Sequence, residues 1–93
     1  MTKERKAEVR IEALKEAWHT VMGSARNLES FALIDEKSAK KHTTHGLPET
    51  FMESAKENRE EKAIYEEVAK EISELIKAEE EKIQAIRWEE FLP

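Results

Sequence analysis

His42 and His45 stand three apart near the middle of the chain, with Asp35, Glu36 and Glu49 close by in sequence. Two imidazoles with carboxylates form a donor set for Zn²⁺ when thiolates are absent, and this chain has no cysteine. Glu16 and His19 repeat the Glu-x-x-His step by which carboxylate-bridged bundles hold metal ions. Glu57, Glu60 and Glu61, with Glu29 far upstream, make a further acidic set. Nucleophilic chemistry has no comparable foothold. Ser24, Ser30, Ser38, Ser54 and Ser73 lie in no Gly-x-Ser-x-Gly setting, there is no Gly-rich phosphate loop, and no carboxylate pair stands apart from the many other acids. The expectation is a protein that is not an enzyme, with no catalytic residue, no cofactor and no metal, its loop histidines forming a solvated turn.

The elements that position these residues follow from the near absence of helix breakers. From Glu49 to Leu92 there is no Gly and no Pro, and from Met1 to His45 the only breaker is Gly23. With 40% charged and 39% hydrophobic residues, rich in Ala, Glu, Lys, Leu and Ile, the 93-residue composition is that of long amphipathic helices in one domain spanning 1–93. The spacing predicts helix 1 over about 3–38, a loop over about 39–48 and helix 2 over about 49–91. Gly46 and Pro48 mark the reversal, and Thr50 with Glu53 three residues on reads as a capping box at the second helix start. Thr2 is the candidate cap of the first helix, where Arg5 replaces the reciprocal Glu. Gly23 is expected to leave that helix continuous or gently kinked, with a break as the alternative.

The first helix carries an unbroken three-four alternation of apolar residues: Ile11, Leu14, Trp18, Val21, Ala25, Leu28 and Ala32. Ala17, Met22 and Phe31 widen this stripe, and Asp35 ends it. Because Trp18 owns the seam, Glu16 and His19 face outward. The second seam runs Phe51, Ala55, Asn58, Lys62, Tyr65, Ala69, Ile72, Ile76, Glu79, Ile83, Ile86 and Glu90. Its polar members at Asn58 and Lys62 predict looser packing there, and Val68 and Leu75 broaden the apolar stretch that follows. A second helix of this length reaches about 65 Å, so a lone hairpin leaves much of each stripe in water. The fold expected is all-α: an antiparallel two-helix hairpin assembling as a dimeric four-helix bundle, with Trp18, Val21, Leu28, Tyr65, Ile72 and Ile76 as the self-association residues.

This layout, with Glu29 on one helix and Glu57, Glu60 and Glu61 on the other, resembles half of a ferritin-like bundle. The resemblance implies a metal site completed by dimerisation. That family's second-helix motif places a His three residues after a ligand Glu, and here those positions hold Glu60, Ala63 and Ile64. The likeness therefore covers topology and not the ligand set.

Charge is unevenly shared. Residues 1–46 carry nine Lys or Arg against seven Asp or Glu, and residues 47–93 carry seven against fourteen, within a net −5. An antiparallel hairpin is expected to lay Lys3, Arg5, Lys6 and Arg10 near Glu79, Glu80, Glu81, Glu89 and Glu90. A net acidic chain argues against direct nucleic-acid binding, although the acidic face of helix 2 (Glu57, Glu60, Glu61, Glu67, Glu71 and Glu74) suits an inhibitor that mimics nucleic acid. The longest apolar run is Phe31 to Ile34, which predicts no signal peptide and no membrane span and, with no cysteine, a cytoplasmic protein. At the end of helix 2, Ala85, Trp88, Phe91 and Leu92 add a second apolar face. They are expected either to pack across the dimer or over Val9, or to bind another protein. The favoured function is a non-enzymatic adaptor, regulator or inhibitor that self-associates as a dimer and offers Trp88, Phe91 and Leu92 to a heterologous protein partner.

Overall fold

A computed structural model describes residues 1–42 and 46–92. Helix α1 spans Lys3–Lys41 and helix α2 spans Leu47–Phe91. They run antiparallel as a rod of 77 × 16 × 13 Å with a radius of gyration of 21.0 Å, against about 12 Å for a compact domain of this length. The all-α hairpin expected from the sequence is the fold.

Both helices are longer toward the turn than the sequence suggests. At the start of α1 the Thr2 hydroxyl accepts from the Arg5 amide at 3.0 Å, which satisfies one of the free first-turn N–H groups. The helix runs unbroken through Gly23, where an added Cβ meets nothing within 4 Å. It ends only at His42, whose amide donates to the Ser38 carbonyl at 2.9 Å. At the other side of the turn Gly46, at φ 85°, precedes a helix that starts at Leu47 and takes Pro48 in its first turn. The capping box read at Thr50 and Glu53 is therefore not the start. Thr50 lies inside α2, and its hydroxyl donates back to the Gly46 carbonyl at 2.9 Å. The reason is local: a proline needs no amide partner in the first turn, so the helix begins before it.

Buried residues follow the two seams. Ala7, Ile11, Ala25 and Ala32 on α1 face Ala55, Ala69, Glu79 and Ile83 on α2. With two helices as the elements among the described residues, what one seam buries the other covers. Five of these eight are alanines, and none of the larger side chains is fully buried. Ala7, Ile11 and Ile83, with Ile76 against them, form the apolar cluster at the open end of the hairpin. No helix among the described residues is long and apolar enough to cross a membrane.

Candidate functional site

Two cross-helix polar pairs bring the interrupted parts of the seams together. Asp35 and Asn58, one on each seam, lie at nearly equal distances from Gly46. Antiparallel pairing sets them at the same height, and the Asn58 amide donates to the Asp35 carboxylate at 3.1 Å. The Lys62 ammonium likewise reaches Glu29 at 3.2 Å. Arg59 bridges two carboxylates of α1, Glu29 at 3.5 Å and Glu36 in a shorter contact. The segment expected to pack loosely is thus joined by a polar ladder.

The third polar seam residue, Glu79, is buried near the open end. Lys82 donates to its Oε1 at 2.9 Å, and Arg10 stands 3.7 Å from its Oε2, an ion pair too long for a hydrogen bond. Of the four basic residues expected to reach the acidic end of α2, Arg10 makes this pair. Arg5 turns along its own helix to Glu8 and Glu12, both at 3.3 Å. The opposite polarity also occurs, since Arg87 of α2 meets Glu4 of α1 at 2.7 Å.

These pairs distinguish the two sides of the hairpin. Seven-residue repeats place Glu8, Lys15, Met22, Glu29 and Glu36 along one flank of the α1 seam. The facing flank of α2 holds Met52, Arg59, Glu66, Glu80 and Arg87, and the Arg59 bridges span this side with charge. The other flank carries Arg10, Ala17, Ser24 and Phe31 from α1 with Glu61, Val68, Leu75 and Lys82 from α2. Ile34 and Ile64 lie one step further out. Phe31, Ile34, Ile64, Val68 and Leu75 are all exposed, so this apolar side has no cover among the described residues. At its open end a groove of about 370 Å³ is lined by Lys3, Lys6, Ala7, Arg10, Lys82, Ala85 and Ile86.

The residues read as self-associating, Trp18, Val21, Leu28, Tyr65, Ile72 and Ile76, lie half-buried along the seams between α1 and α2. Trp88, Phe91 and Leu92 are exposed at the end of α2, where Trp88 and Phe91 with Gln84 and Arg87 line a shallow groove. They do not pack over Val9, which is itself exposed.

The metal-ligand candidates are scattered. Glu29 is held by Lys62 and Arg59 on the ionic flank, whereas Glu57 and Glu61 lie on the apolar flank and Glu60 points away from both. Glu16 and His19 are exposed, and the His19 ring meets Trp18 edge-on at 5.1 Å. His42 stacks on Phe51 at 5.8 Å, while His45 lies outside the described residues. Among the described residues no three His, Asp or Glu come together to hold a metal ion.

The ion pairs give the hairpin a sensitivity to acid. The Lys62 ammonium, with Arg59 beside it, holds the Glu29 carboxyl below the usual carboxylate range against the cost of desolvation. Arg59 does the same for Glu36. Lys82, assisted by Arg10, lowers Glu79 despite its burial. A carboxylate whose pKa is depressed on folding stabilises the fold above its unfolded value of about 4.3, and that contribution is lost as pH falls through the folded value. Thermal stability is therefore expected to stay level from neutrality down to about pH 5 and to fall below about pH 4. Arg59→Gln should flatten the fall, and an unchanged acid profile in that variant would show that the bridge does not contribute.

Sequence reasoning missed the ionic ladder although part of its signal was present: Asp35 ends the first seam and Asn58 interrupts the second at nearly matching distances from the turn. No known family model matches the chain, and no curated protein or solved structure matches it.

Proposed function

We propose that this chain is a non-enzymatic interaction protein, an adaptor, regulator or inhibitor, that self-associates into a four-helix bundle and binds a different protein through the end of α2. The observation that carries the reading is the exposure of three large apolar side chains within five residues, Trp88 at 68%, Phe91 at 87% and Leu92 at 59%. Exposed aromatics grouped at a helix end are typical binding hot spots, and an amphipathic helix end fits a groove on a partner.

The chemistry of that partner is suggested by what leads up to the aromatics. Glu60, Glu67, Glu74 and Glu81 recur every seven residues and are all exposed, which aligns them on the outward ridge of α2 that ends at Trp88. Lys56, Lys70 and Lys77 flank this ridge and do not interrupt it. A partner with an apolar pocket beside a basic surface complements both features. The same ridge supports a second reading, in which an acidic inhibitor mimics nucleic acid and occupies the basic groove of a nucleic-acid-binding protein.

The double variant Trp88→Ala with Phe91→Ala tests the anchor. Helix content and self-association should be unchanged, and affinity for a protein isolated on the unaltered chain should fall by at least about thirtyfold, the cost of losing a hot spot. Rising salt should weaken the same complex. Retained affinity in the double variant would overturn the anchor, and loss of self-association would place the aromatics inside the bundle instead.

A further inference from the structure

The apolar flank of the hairpin is unpartnered, and its charge pattern selects what covers it. Phe31 is 56% exposed, Ile64 61% and Leu75 56%. The chain exposes 7352 Å², about 1,800 Å² more than the roughly 5,500 Å² of a compact monomer of its mass. A standard interface needs only about 800 Å² per partner, so the surplus suffices for one interface.

We infer that a second copy of this chain docks on this flank in antiparallel orientation, about a two-fold axis perpendicular to the rod, with α2 of one copy against α2 of the other. The inference rests on the self-association proposed above and assigns its surface and symmetry. Measured from Ala69, Glu57 lies twelve residues toward the turn and Lys82 thirteen residues toward the open end. At 1.5 Å per residue both are about 18 to 20 Å from the axis. The two-fold sets Glu57 of one copy on Lys82 of the other, twice per dimer. Lys82 has charge to offer, because it and Arg10 share the single carboxylate of Glu79. A parallel pairing instead sets Glu57 on Glu57 and Lys82 on Lys82.

The apolar residues obey the same symmetry. Ile64 and Leu75 lie five and six residues from Ala69 on opposite sides, so each meets the other across the interface. Phe31 and Ala13 are both nine residues from Met22, the middle of α1, and the large ring faces a small side chain. Isologous interfaces require this kind of reciprocal match. Glu71, close to the axis, gains no counter-charge and works against the pairing.

Sedimentation equilibrium at micromolar concentration tests the arrangement with five proteins: the unaltered chain, Glu57→Lys, Lys82→Glu, the double swap and Leu75→Glu. The unaltered chain should be a dimer. Each single reversal should raise the dissociation constant about tenfold or more, since two pairs turn repulsive in every dimer. The double swap should return it to near the original value while helix content stays constant. Leu75→Glu should give monomer at the same concentration. If the unaltered chain is monomeric, self-association itself fails. If it is dimeric but indifferent to Glu57→Lys and Leu75→Glu, or if the swap restores nothing, the dimer forms and this surface is not its interface.

Discussion

Ile83→Ala should lower the free energy of unfolding by about 2 to 5 kcal/mol, the cost of emptying a buried aliphatic position. Ile83 is buried with Ala7 and Ile11, and Ile76 packs against them. At the open end of the hairpin this cluster and the nearby Glu79 ion pairs hold the helices together. Truncating Ile83 removes the largest member that α2 contributes to the buried group. In a domain of this size the melting temperature should drop by about 10 °C or more, read by circular dichroism at fixed protein concentration because the proposed assembly would make the midpoint concentration-dependent. Val9→Ala, at an exposed position on the same turn of α1, should change little. Equal effects at the two positions would mean that the cluster is not what closes the open end.

The opposite error, adding volume, should be costly toward the turn. Ala32 is 0% exposed and Ala25 1%, with Ala55 and Ala69 equally enclosed on the facing helix. Small side chains leave no slack between two helices. Ala32→Leu must therefore push α1 and α2 apart, at a cost of about 1 to 3 kcal/mol. The separation would also stretch the cross-helix contacts beside it, Glu29 to Lys62 and Asp35 to Asn58. Leucine and alanine have nearly the same helix propensity, so the loss would report on packing between helices. Ala63→Leu is the control, because Ala63 is exposed on α2 and should accept the larger side chain. A stabilised Ala32→Leu protein would show that the helices are not in close approach there.

Much of this fold was legible in the sequence because helix periodicity is local. The missing breakers gave the number of helices, and the three-four spacing of Ile11 to Ala32 named the face that α1 turns to α2. What was not legible depended on register. Asn58, Lys62 and Glu79 read as flaws in the second seam, since a single helix shows no partner for them. Only the antiparallel alignment sets Asp35, Glu29 and Arg10 opposite, and converts the flaws into cross-links. The helix ends were misjudged for a related reason: Thr50 and Glu53 have the right types for a cap, but Gly46 and Pro48 let the helix begin earlier. Phe31 and Leu75 were visible as extra apolar residues, whereas their location on the side opposite the Arg59 bridges needed the pairing of the two helices. The acidic candidates for metal binding suffered the same limit. Glu29 and Glu57 look alike in sequence, yet one is bound to Lys62 and Arg59 and the other lies on the opposite flank.

The proposed self-association rests on an imbalance between the two sides of the hairpin. One is spanned by the Arg59 ion pairs, and the other leaves Phe31, Ile34, Ile64, Val68 and Leu75 in water. A buried set made mostly of alanines provides little apolar burial to offset the ordering of 93 residues. The mass of the unaltered protein in solution, measured by light scattering across the micromolar range, tests this most directly. The expected mass is twice the 10.8 kDa of one chain, and a well-folded helical protein of single-chain mass across that range would contradict self-association.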